Sequence, residues 1–444
     1  MKNIRSAPAR NHWYSSVWVL CAIALVPFLC AVINCVRRIF RESPRAGNLP
    51  TFRNAGIALA HGRDIYRSGS GDYVYPPLIA FLAQPLGWMS LHWAALLMLA
   101  ANTIAALLTL KIIAEELLLR LTGRATLYGI VQVALIAAWL SIGHIRTEFD
   151  EWETNIWMLL MFVLALRWAD RHPILAGMAL GLAFNIKYLP IVFIPYLIIR
   201  RRWSMLCAFV ISIFFFAFLP AISMGWSKNL AALSQSYSGI ANLLGFHATR
   251  TGSANMNPFT SDKSVSIPSI IGQATGLPES AAMTIAAGIA MLFLLFIVIL
   301  YRKNKLELFH WPRVSEQMLQ PYRALFGIEW LAIILLALMF SPYTTSAHLY
   351  SLLAVNAGVA VLLIHGDAAL KKWPLLIAAL IMLLGTILPP GGGYFRHAEL
   401  LWKQFCVSAW CMCIFFMALL WTEIKYVHGI RANASLESFG NRQM

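Results

Sequence analysis

The chain alternates between long apolar runs and short polar segments. We predict a membrane-spanning helix from each run of about 20 apolar residues, because that length crosses a hydrocarbon core about 30 Å thick. The runs lie at residues 13–36, 91–114, 126–142, 154–169, 174–199, 203–224, 281–301, 324–341, 346–364, 373–389 and 401–424. The pattern therefore predicts an all-α polytopic membrane protein with about 11 transmembrane helices.

Two stretches depart from the simple spanning pattern. Residues 77–89 form an apolar run that is too short to span and is split by a proline, so we predict an interfacial or re-entrant helix. Segment 174–199 has basic flanks and is interrupted in its middle by Asn185, Lys187 and Pro190. Because irregular backbone at membrane depth is tolerated only beside protein or a wet cavity, we predict a hairpin or broken helix there.

Arginine and lysine residues cluster in alternate short loops. The positive-inside rule places these loops in the cytoplasm, together with both chain termini. The outer face then receives residues 37–76, 143–153, 225–279, 342–345 and 390–400. We predict one integrated membrane domain over residues 1–430, followed by a polar, disordered cytoplasmic tail over residues 431–444.

The composition agrees with a membrane protein and narrows its partners. The 444 residues are 59% hydrophobic and 12% charged, with a net charge of +16. In a soluble protein this charge would suggest nucleic acid, but anionic lipid headgroups and the positive-inside rule explain it here. We therefore predict membrane lipids as partners and no nucleic acid. The 7 cysteines lie in or beside apolar runs, so no disulfide framework is expected.

A polar segment after the first apolar run is dense in charge, glycine and tyrosine. It reads Gly62-Arg-Asp-Ile-Tyr-Arg-Ser-Gly-Ser-Gly-Asp-Tyr-Val-Tyr-Pro-Pro77. The two prolines predict an extended entry into a helix, because the residue before a proline avoids the α region and proline is tolerated in a first turn. We interpret the segment as a shaped pocket at a membrane surface; the alternative is an ordinary loop followed by a helix start.

Two side chains near or within the apolar runs are candidates for anion binding. Lys187 is a cation in an otherwise apolar segment, where such residues usually face a cavity and a partner, although snorkelling to the interface is an alternative. Its functional interpretation is a cation for a lipid phosphate or diphosphate. His348 begins a late apolar run and could hydrogen-bond a phosphate or a sugar hydroxyl, shuttle a proton, or only cap the helix.

Carboxylates supply candidate bases. The acidic loop before the fourth predicted span contains Asp150 and Glu153, which would share one face if both lay in the same helical turn. They could act as general bases, metal ligands or helix N-terminal charges. Because no ligand pattern is recognisable, we predict no metal site and no cofactor. Glu329 is a further ionisable group within a predicted span, where such groups are usually functional.

Several of these segments, taken in order, resemble glycosyltransferase family 87, the polyprenyl-phosphomannose-dependent mannosyltransferases and their relatives with a GT-C-type membrane fold. The resemblance covers most of residues 45–350, and each motif is loose by itself. The matching segments are Gly62-Arg-Asp-Ile-Tyr66, Tyr73-Val-Tyr-Pro-Pro77, Glu153-Thr-Asn155 where the family often shows Gln-x-Asn, Gly177-Met-Ala-Leu-Gly181 through Lys187 and Pro190 to Arg200-Arg-Arg-Trp203, and Ser341-Pro342 with His348.

The resemblance implies a GT-C-like bundle whose outer loops carry the chemistry at the periplasmic face of a bacterial inner membrane. A sugar, most simply a mannose-like hexose, would pass from polyprenyl phosphate to a lipid or envelope-glycan acceptor. The acceptor hydroxyl needs a carboxylate base, and the leaving lipid phosphate needs cations. On this basis substrate contacts are assigned to Lys187, His348, Tyr66, Tyr75, Arg63 and Asn155.

One position departs from the family pattern. Family members tend to carry an aspartate in the first outer loop, as part of a D-x-x-x-[YF] string that resembles the base. The corresponding string here is Gly47-Asn48-Leu-Pro-Thr-Phe52, and an amide cannot take a proton. Either Asp64, Asp150 or Glu153 supplies the base, or the register differs, or the chain has lost or changed the activity; we favour a displaced base.

Two other function classes remain open from the sequence. A transporter or flippase of lipid-linked sugars would share the buried lysine and the broken helix, and an inverted repeat between its halves would favour it. A catalytically silent member of an envelope-polymer assembly would be compatible with Asn48. Release of polyprenyl phosphate from a polyprenyl-phosphate sugar distinguishes the transferase from both.

Overall fold

The computed structural model describes residues 17–41, 47–67, 73–243, 264–306, 316–366, 372–386, 401–402 and 407–440. These residues form helices and connecting turns and contain no strand. In chain order the α-helices are α1 (Val17–Arg41), α2 (Leu49–Ala60), α3 (Pro77–Leu82), α4 (Gln84–Gly87), α5 (Leu91–Thr122), α6 (Leu127–Leu140), α7 (Ile142–Glu151), α8 (Asn155–Trp168), α9 (Pro173–Ile186), α10 (Phe193–Ile199), α11 (Trp203–Phe218), α12 (Ala221–Met224), α13 (Trp226–Leu243), α14 (Ile267–Thr275), α15 (Glu279–Lys303), α16 (Glu316–Phe340), α17 (Leu352–His365), α18 (Trp373–Thr386) and α19 (Val407–Gly440).

Within the described ranges, 7 helical stretches are long and apolar enough to cross a membrane, or 8 if the bent α6–α7 pair is one span. The 7 stretches are Val17–Arg41, Leu91–Thr122, Trp203–Met224, Glu279–Lys303, Gln320–Phe340, His348–His365 and Val407–Tyr426. Shorter apolar helices cover Asn155–Trp168, Pro173–Ile186, Leu189–Ile199 and Trp373–Thr386. The all-helical, multi-pass architecture is confirmed, whereas the predicted count of about 11 spans is not.

Three segments predicted as outer loops contain helices. The 37–76 segment holds the end of α1 and all of α2, 143–153 holds all of α7 except its first residue, and 225–279 holds α13 and α14. In α2, Leu49, Phe52 and Leu59 are buried on one face, which is the amphipathic spacing that hydropathy averaging overlooks. The predicted loop 390–400 lies outside the described residues.

The polar end of the chain is a second correction. We predicted a disordered tail after residue 430, but α19 continues as a helix to Gly440. Its last segment, Arg431-Ala-Asn-Ala-Ser-Leu-Glu437, contains alanine, leucine and glutamate, which have high helix propensity. A polar composition did not exclude continuation of a helix that is already nucleated.

Helices α9 and α11 pack closely against each other, just before Lys187. A Cβ added at Gly177 would lie 2.3 Å from the carbonyl oxygen of Met205, and one at Gly181 would lie 2.4 Å from the Cβ of Ser212. Small residues four apart let two helix backbones approach, which favours van der Waals packing in a lipid environment. The two glycines therefore fix where the C-terminal end of α9 lies.

The mid-span carboxylate Glu329 lies in a satisfied polar cluster. It accepts hydrogen bonds from Tyr196 and Tyr301, each at 2.9 Å, and is paired with the buried Arg200. A buried carboxylate with an arginine and two hydroxyl donors is stabilised in place. The geometry therefore gives Glu329 a structural partner set, which sequence analysis did not anticipate.

Three arginines from neighbouring loops that were predicted to share one face take part in ion pairs. Asp170 pairs with Arg120 at 2.9 Å and with Arg202 at 2.7 Å, joining α5 to the start of α11. A further pair joins Arg167 to Glu115 at 2.9 Å. These pairs tie loops that sequence analysis assigned to one face.

Candidate functional site

Lys187 leaves helix α9 at a break in the backbone. The helix ends at Ile186, Lys187 adopts an extended conformation with φ −147 and ψ 143, and a 3₁₀ turn follows at Leu189–Val192. The Asn185 amide donates to carbonyl oxygens of Gly181 and Ile213, each at 3.0 Å, and so fastens the end of α9 to α11. The predicted interruption is confirmed, and it directs the lysine away from the helix axis.

The Lys187 ammonium lies in a cluster drawn from separate parts of the chain. Its Nζ donates to Oε2 of Glu153 at 2.9 Å and to Oδ1 of Asn155 at 2.8 Å. It lies 3.4 Å from Nε2 of His348 and 5.5 Å from the ring centre of Tyr75. The side chains of Lys187 and Glu153 are only 12% and 15% exposed. We call Lys187, Glu153, Asn155, His348, Tyr75 and Asn48 the lysine cluster.

Glu153 is the carboxylate of this cluster. The Tyr75 hydroxyl donates to its Oε2 at 2.9 Å, and the Asn48 amide donates to its Oε1 at 2.9 Å. Burial raises the pKa of Glu153, but attraction to Lys187 and His348 and the hydrogen bonds from Lys187 and Tyr75 outweigh it and lower the pKa to about 2. The side chain is therefore a firmly ionised, fully hydrogen-bonded carboxylate.

A tight turn separates Glu153 from α7. Trp152 caps the helix with φ 54 and ψ 42, a left-handed conformation that is uncommon for a bulky residue. The Glu153 amide then donates to the carbonyl oxygen of Glu148 at 3.2 Å. Asp150 and Glu153 therefore do not share a helical face, because the turn directs them to different neighbours.

Asn48 reaches Glu153 because the chain docks closely against the end of α7. Gly47 has φ +72, and a Cβ there would lie 2.7 Å from the carbonyl oxygen of Glu151. The next amide, that of Asn48, donates to the same carbonyl oxygen at 2.9 Å. Only glycine combines a left-handed conformation with so close an approach, so this residue sets the position of the Asn48 side chain.

Tyr75 is held by its aromatic neighbours. The Tyr66 hydroxyl donates to the Tyr75 carbonyl oxygen at 3.1 Å, and the Tyr73 hydroxyl donates to the Pro76 carbonyl oxygen at 2.7 Å. The rings of Phe52 and Tyr75 meet edge to face at 5.0 Å. Tyr66, predicted to contact substrate, is buried and supports Tyr75 through this hydrogen bond.

His348 presents one ring N–H to the lysine cluster. The backbone N–H of Thr345 donates to Nδ1 at 3.1 Å, so Nδ1 is an acceptor and the ring proton of the neutral imidazole lies on Nε2. That Nε2–H lies 3.4 Å from Lys187 Nζ, so two donors face the same space. Two converging donors of this kind suit an anionic oxygen atom.

Glu148 is a site residue that sequence reasoning missed. It is fully buried and accepts from Asn155 Nδ2 at 2.8 Å and from the backbone N–H of Ile156 at 2.9 Å. The carboxylate thus binds the N-terminus of α8 and orients the amide that contacts Lys187. The residue belongs to the acidic loop in the sequence, but nothing in the loop's composition distinguishes it from its neighbours.

The remaining predicted residues have other partners. Asp150 pairs with Arg38 at 3.2 Å and accepts from Asn34 at 2.8 Å, so it joins α7 to α1. Asp64 accepts from the backbone N–H of Tyr66 at 2.9 Å and is partly exposed. Arg63 is exposed. Over the described residues, no group of three or more His, Cys, Asp or Glu side chains is arranged to hold a metal ion.

Comparison with known families matches residues 73–315, more than half of the chain, to the model for glycosyltransferase family 87. The match includes Tyr75, Glu153, Asn155 and Lys187. It begins after Asn48 and ends before His348, so the structure rather than the match connects these two residues to the cluster. No solved structure matches the chain.

Curated relatives are mycobacterial enzymes of low identity. A polyprenol-phosphate-mannose-dependent alpha-(1-2)-phosphatidylinositol mannoside mannosyltransferase of Mycolicibacterium smegmatis is 28% identical over 37% of this chain and 41% of its own length. Its namesake in Mycobacterium tuberculosis is 24% identical over 45% of this chain and 48% of its own. An alpha-(1->3)-arabinofuranosyltransferase of Mycobacterium tuberculosis is 31% identical over 36% and 38%. Each match spans less than half of the relative.

Proposed function

Because the chain belongs to glycosyltransferase family 87, we propose that the lysine cluster is its active site and that the donor is a sugar linked to polyprenyl phosphate. A mannose-like hexose is the proposed sugar, and a lipid or envelope glycan is the proposed acceptor. The names of two mycobacterial relatives specify polyprenol-phosphate-mannose, which supports this choice. The observation that carries the proposal is the convergence of the Lys187 ammonium and the His348 Nε2–H beside a carboxylate.

Lys187 and His348 are proposed to hold the donor phosphate. Transfer breaks the bond between the anomeric carbon and a phosphate oxygen, so the phosphate gains a negative charge in the transition state. Fixed donors aimed at that developing charge in a buried site lower the barrier. Asn155 keeps the ammonium in place through its Oδ1, 2.8 Å from Nζ.

Glu153 is proposed as the base that takes the proton of the acceptor hydroxyl. It is the carboxylate in contact with Lys187, and Asn48 and Tyr75 hold its two oxygens. Asp64 and Asp150 are less suitable because the first binds a local backbone N–H and the second is paired with Arg38. The family resemblance led us to expect an aspartate at position 48. The residue there is Asn48, and its amide donates a hydrogen bond to Glu153.

The cluster is proposed to face the periplasm from a bacterial inner membrane, with both termini in the cytoplasm. The proposal is supported by the positive-inside pattern of the loops that carry Arg120, Arg167 and Arg202, and all three of these residues take part in ion pairs. The proposed domain covers residues 1–430. Cysteine accessibility measured from either side of spheroplasts tests this orientation.

Mannosyl transfer by the reconstituted protein tests the role of Glu153. Purified protein in liposomes receives polyprenyl-phosphate mannose and a glycolipid acceptor, and both mannosylated product and released polyprenyl phosphate are measured. Glu153→Gln is expected to slow transfer by about 10²–10⁴-fold, the usual contribution of a general base. Glu279→Gln, a carboxylate at the start of α15, is the matched control and should keep the wild-type rate.

A charge exchange provides a sharper version of the same test. The variant Asn48→Asp with Glu153→Gln keeps one carboxylate and one amide in the hydrogen-bonded pair and reverses their positions. We expect it to recover at least tenfold over Glu153→Gln alone, since the carboxylate stays within the cluster. Wild-type activity in Glu153→Gln would remove Glu153 as the base. Sugar movement across the bilayer without release of polyprenyl phosphate would indicate a flippase instead.

A further inference from the structure

The low pKa of Glu153 conflicts with its proposed role as a general base. A general base works best when its pKa lies near the working pH, because a strongly acidic carboxylate accepts a proton poorly. Attraction to Lys187, whose Nζ lies 2.9 Å away, is the largest influence that lowers the pKa of Glu153, and together with His348 and the hydrogen bonds from Lys187 and Tyr75 it holds this pKa at about 2. The same ammonium also faces the His348 Nε2–H, where the donor phosphate is proposed to bind. One cation therefore serves both the base and the anion.

We propose that the donor phosphate itself converts Glu153 into a working base, by neutralising the Lys187 charge that keeps this carboxylate inactive. The inference rests on the proposed function, since it assumes a phosphate at Lys187 and His348. A polyprenyl-phosphate sugar is a phosphodiester with one negative charge. When that charge binds the ammonium, Glu153 no longer faces a net cation, and the acceptor meets an active base only if the donor is already bound.

The groups that face Glu153 all permit this change. Asn48 and Tyr75 are neutral donors, and His348 is neutral with its proton on Nε2. Glu148 is a second carboxyl group beside the cluster, bound to Asn155 and to the N-terminus of α8, and it brings no positive charge to the site. Lys187 is thus the cation among these groups. An opposite charge at such a distance lowers a carboxyl pKa by about 1–3 pH units, so neutralising it raises the Glu153 pKa by a similar amount.

The carboxylate remains in position when Lys187 turns toward the phosphate. Asn48 Nδ2 holds Oε1 and the Tyr75 hydroxyl holds Oε2, each at 2.9 Å. These two hydrogen bonds prevent an unsatisfied buried carboxylate, which would otherwise be costly. Glu153 can therefore lose its ion pair with Lys187 and still keep the orientation of its carboxylate.

The full cycle balances in charge and protons. The acceptor oxygen forms a bond to the anomeric carbon, the bond from that carbon to the phosphate oxygen breaks, and its electron pair stays on the phosphate. The acceptor proton moves to Glu153. Polyprenyl phosphate leaves with the extra negative charge, Lys187 returns to Glu153, and the restored ion pair lowers the pKa and expels the proton to water.

Infrared difference spectroscopy can test the proposal directly. The protein in lipid nanodiscs is titrated from about pH 1, below the Glu153 pKa of about 2, up to about pH 7, with and without farnesyl methyl phosphate, a phosphodiester that has no sugar to transfer. The Glu153 carboxyl band is identified by its loss in Glu153→Gln and its retention in Glu279→Gln. Bound phosphodiester is expected to raise the titration midpoint of that band by about 1–3 pH units.

Two lysine variants separate charge from shape. In Lys187→Met the Glu153 midpoint should already be high and should not respond to the phosphodiester. In Lys187→Arg, which keeps the cation, the response should return at least in part. An unchanged wild-type midpoint under saturating phosphodiester, or failure of the phosphodiester to bind, overturns the inference.

Mannosyl transfer measured on the same preparation separates this inference from the proposed function. Transfer with an unchanged Glu153 midpoint overturns the phosphate switch and leaves the glycosyltransferase assignment of the cluster standing. A shifted midpoint in a protein that transfers no sugar from any polyprenyl-phosphate donor supports the coupling between phosphate and carboxylate, while it removes the proposed reaction.

Discussion

Gly181 lets α9 and α11 approach so closely that an added methyl group has no room. A Cβ at this position would lie 2.4 Å from the Cβ of Ser212, whereas ordinary contact begins at 3.4 Å. Gly181→Ala therefore requires the two helices to separate by about 1 Å or α9 to distort. Overpacking of this kind costs about 1–3 kcal/mol of unfolding free energy.

The displacement reaches the site because Lys187 directly follows the end of the same helix. A catalytic group misplaced by about 1 Å can lose about 100-fold in rate. We expect Gly181→Ala to lower kcat for mannosyl transfer by about 10- to 100-fold. We expect a decrease in Tm of about 2–6 °C in detergent, measured by thermal unfolding.

Gly288→Ala is the matched control. Gly288 lies within α15, and a Cβ there would meet nothing within 4 Å. Replacing a helical glycine by alanine where space is open stabilises a helix by about 0.5–1 kcal/mol. Gly288→Ala should therefore keep the wild-type kcat. If Gly181→Ala also keeps the wild-type Tm and kcat, the close contact with α11 does not position α9, and our reasoning is refuted.

Three further predictions follow from the site and one from the bundle. Gly47→Ala places a side chain at φ +72, so it should lower the free energy of unfolding by about 1–2 kcal/mol, seen as a lower Tm, and should slow transfer. Tyr75→Phe removes a hydrogen bond that lowers the Glu153 pKa, so the infrared midpoint of Glu153 should rise. Because folding lowers that pKa from 4.5 to about 2, Glu153 stabilises the fold above pH 4.5, and this contribution should fade as pH falls through 2; unfolding of Glu153→Gln should lack that pH dependence. Arg200→Met leaves the Glu329 carboxylate buried without its cation and should destabilise the protein by about 3–5 kcal/mol, whereas equal Tm values would contradict this.

Hydropathy and local sequence predicted the interruption at Lys187 because a lysine, an amide and a proline break an apolar run. They did not distinguish Asp150 from Glu153, which are three residues apart in one acidic loop. That difference depends on Trp152, whose left-handed backbone sends Asp150 toward Arg38 and Glu153 toward Lys187. A positive φ at a tryptophan has no sequence signal.

Residues far apart in sequence were equally hard to pair. Asn48 was singled out for lacking a carboxyl group, but its amide donates to the acid 105 residues later, and only the fold reveals this contact. Glu148 acts through the N-terminus of α8, and its burial depends on packing that composition does not encode. The amphipathic helix α2 was missed because mean hydropathy over about 20 residues does not detect a short helix with one buried face.

The residues of the lysine cluster are synthesised at different times, because they lie far apart along the chain. Glu153 and Lys187 are separated by 34 residues and can pair soon after both have emerged from the ribosome, when Asn48 is already present. His348 arrives 161 residues after Lys187, and synthesis proceeds N-terminus first at about 5–20 residues per second. The sequence separations thus allow the lysine to pair with its carboxylate early in synthesis, whereas the second donor is made only after most of the bundle. A nascent chain released before His348 would carry a satisfied ion pair in the membrane but no completed anion site.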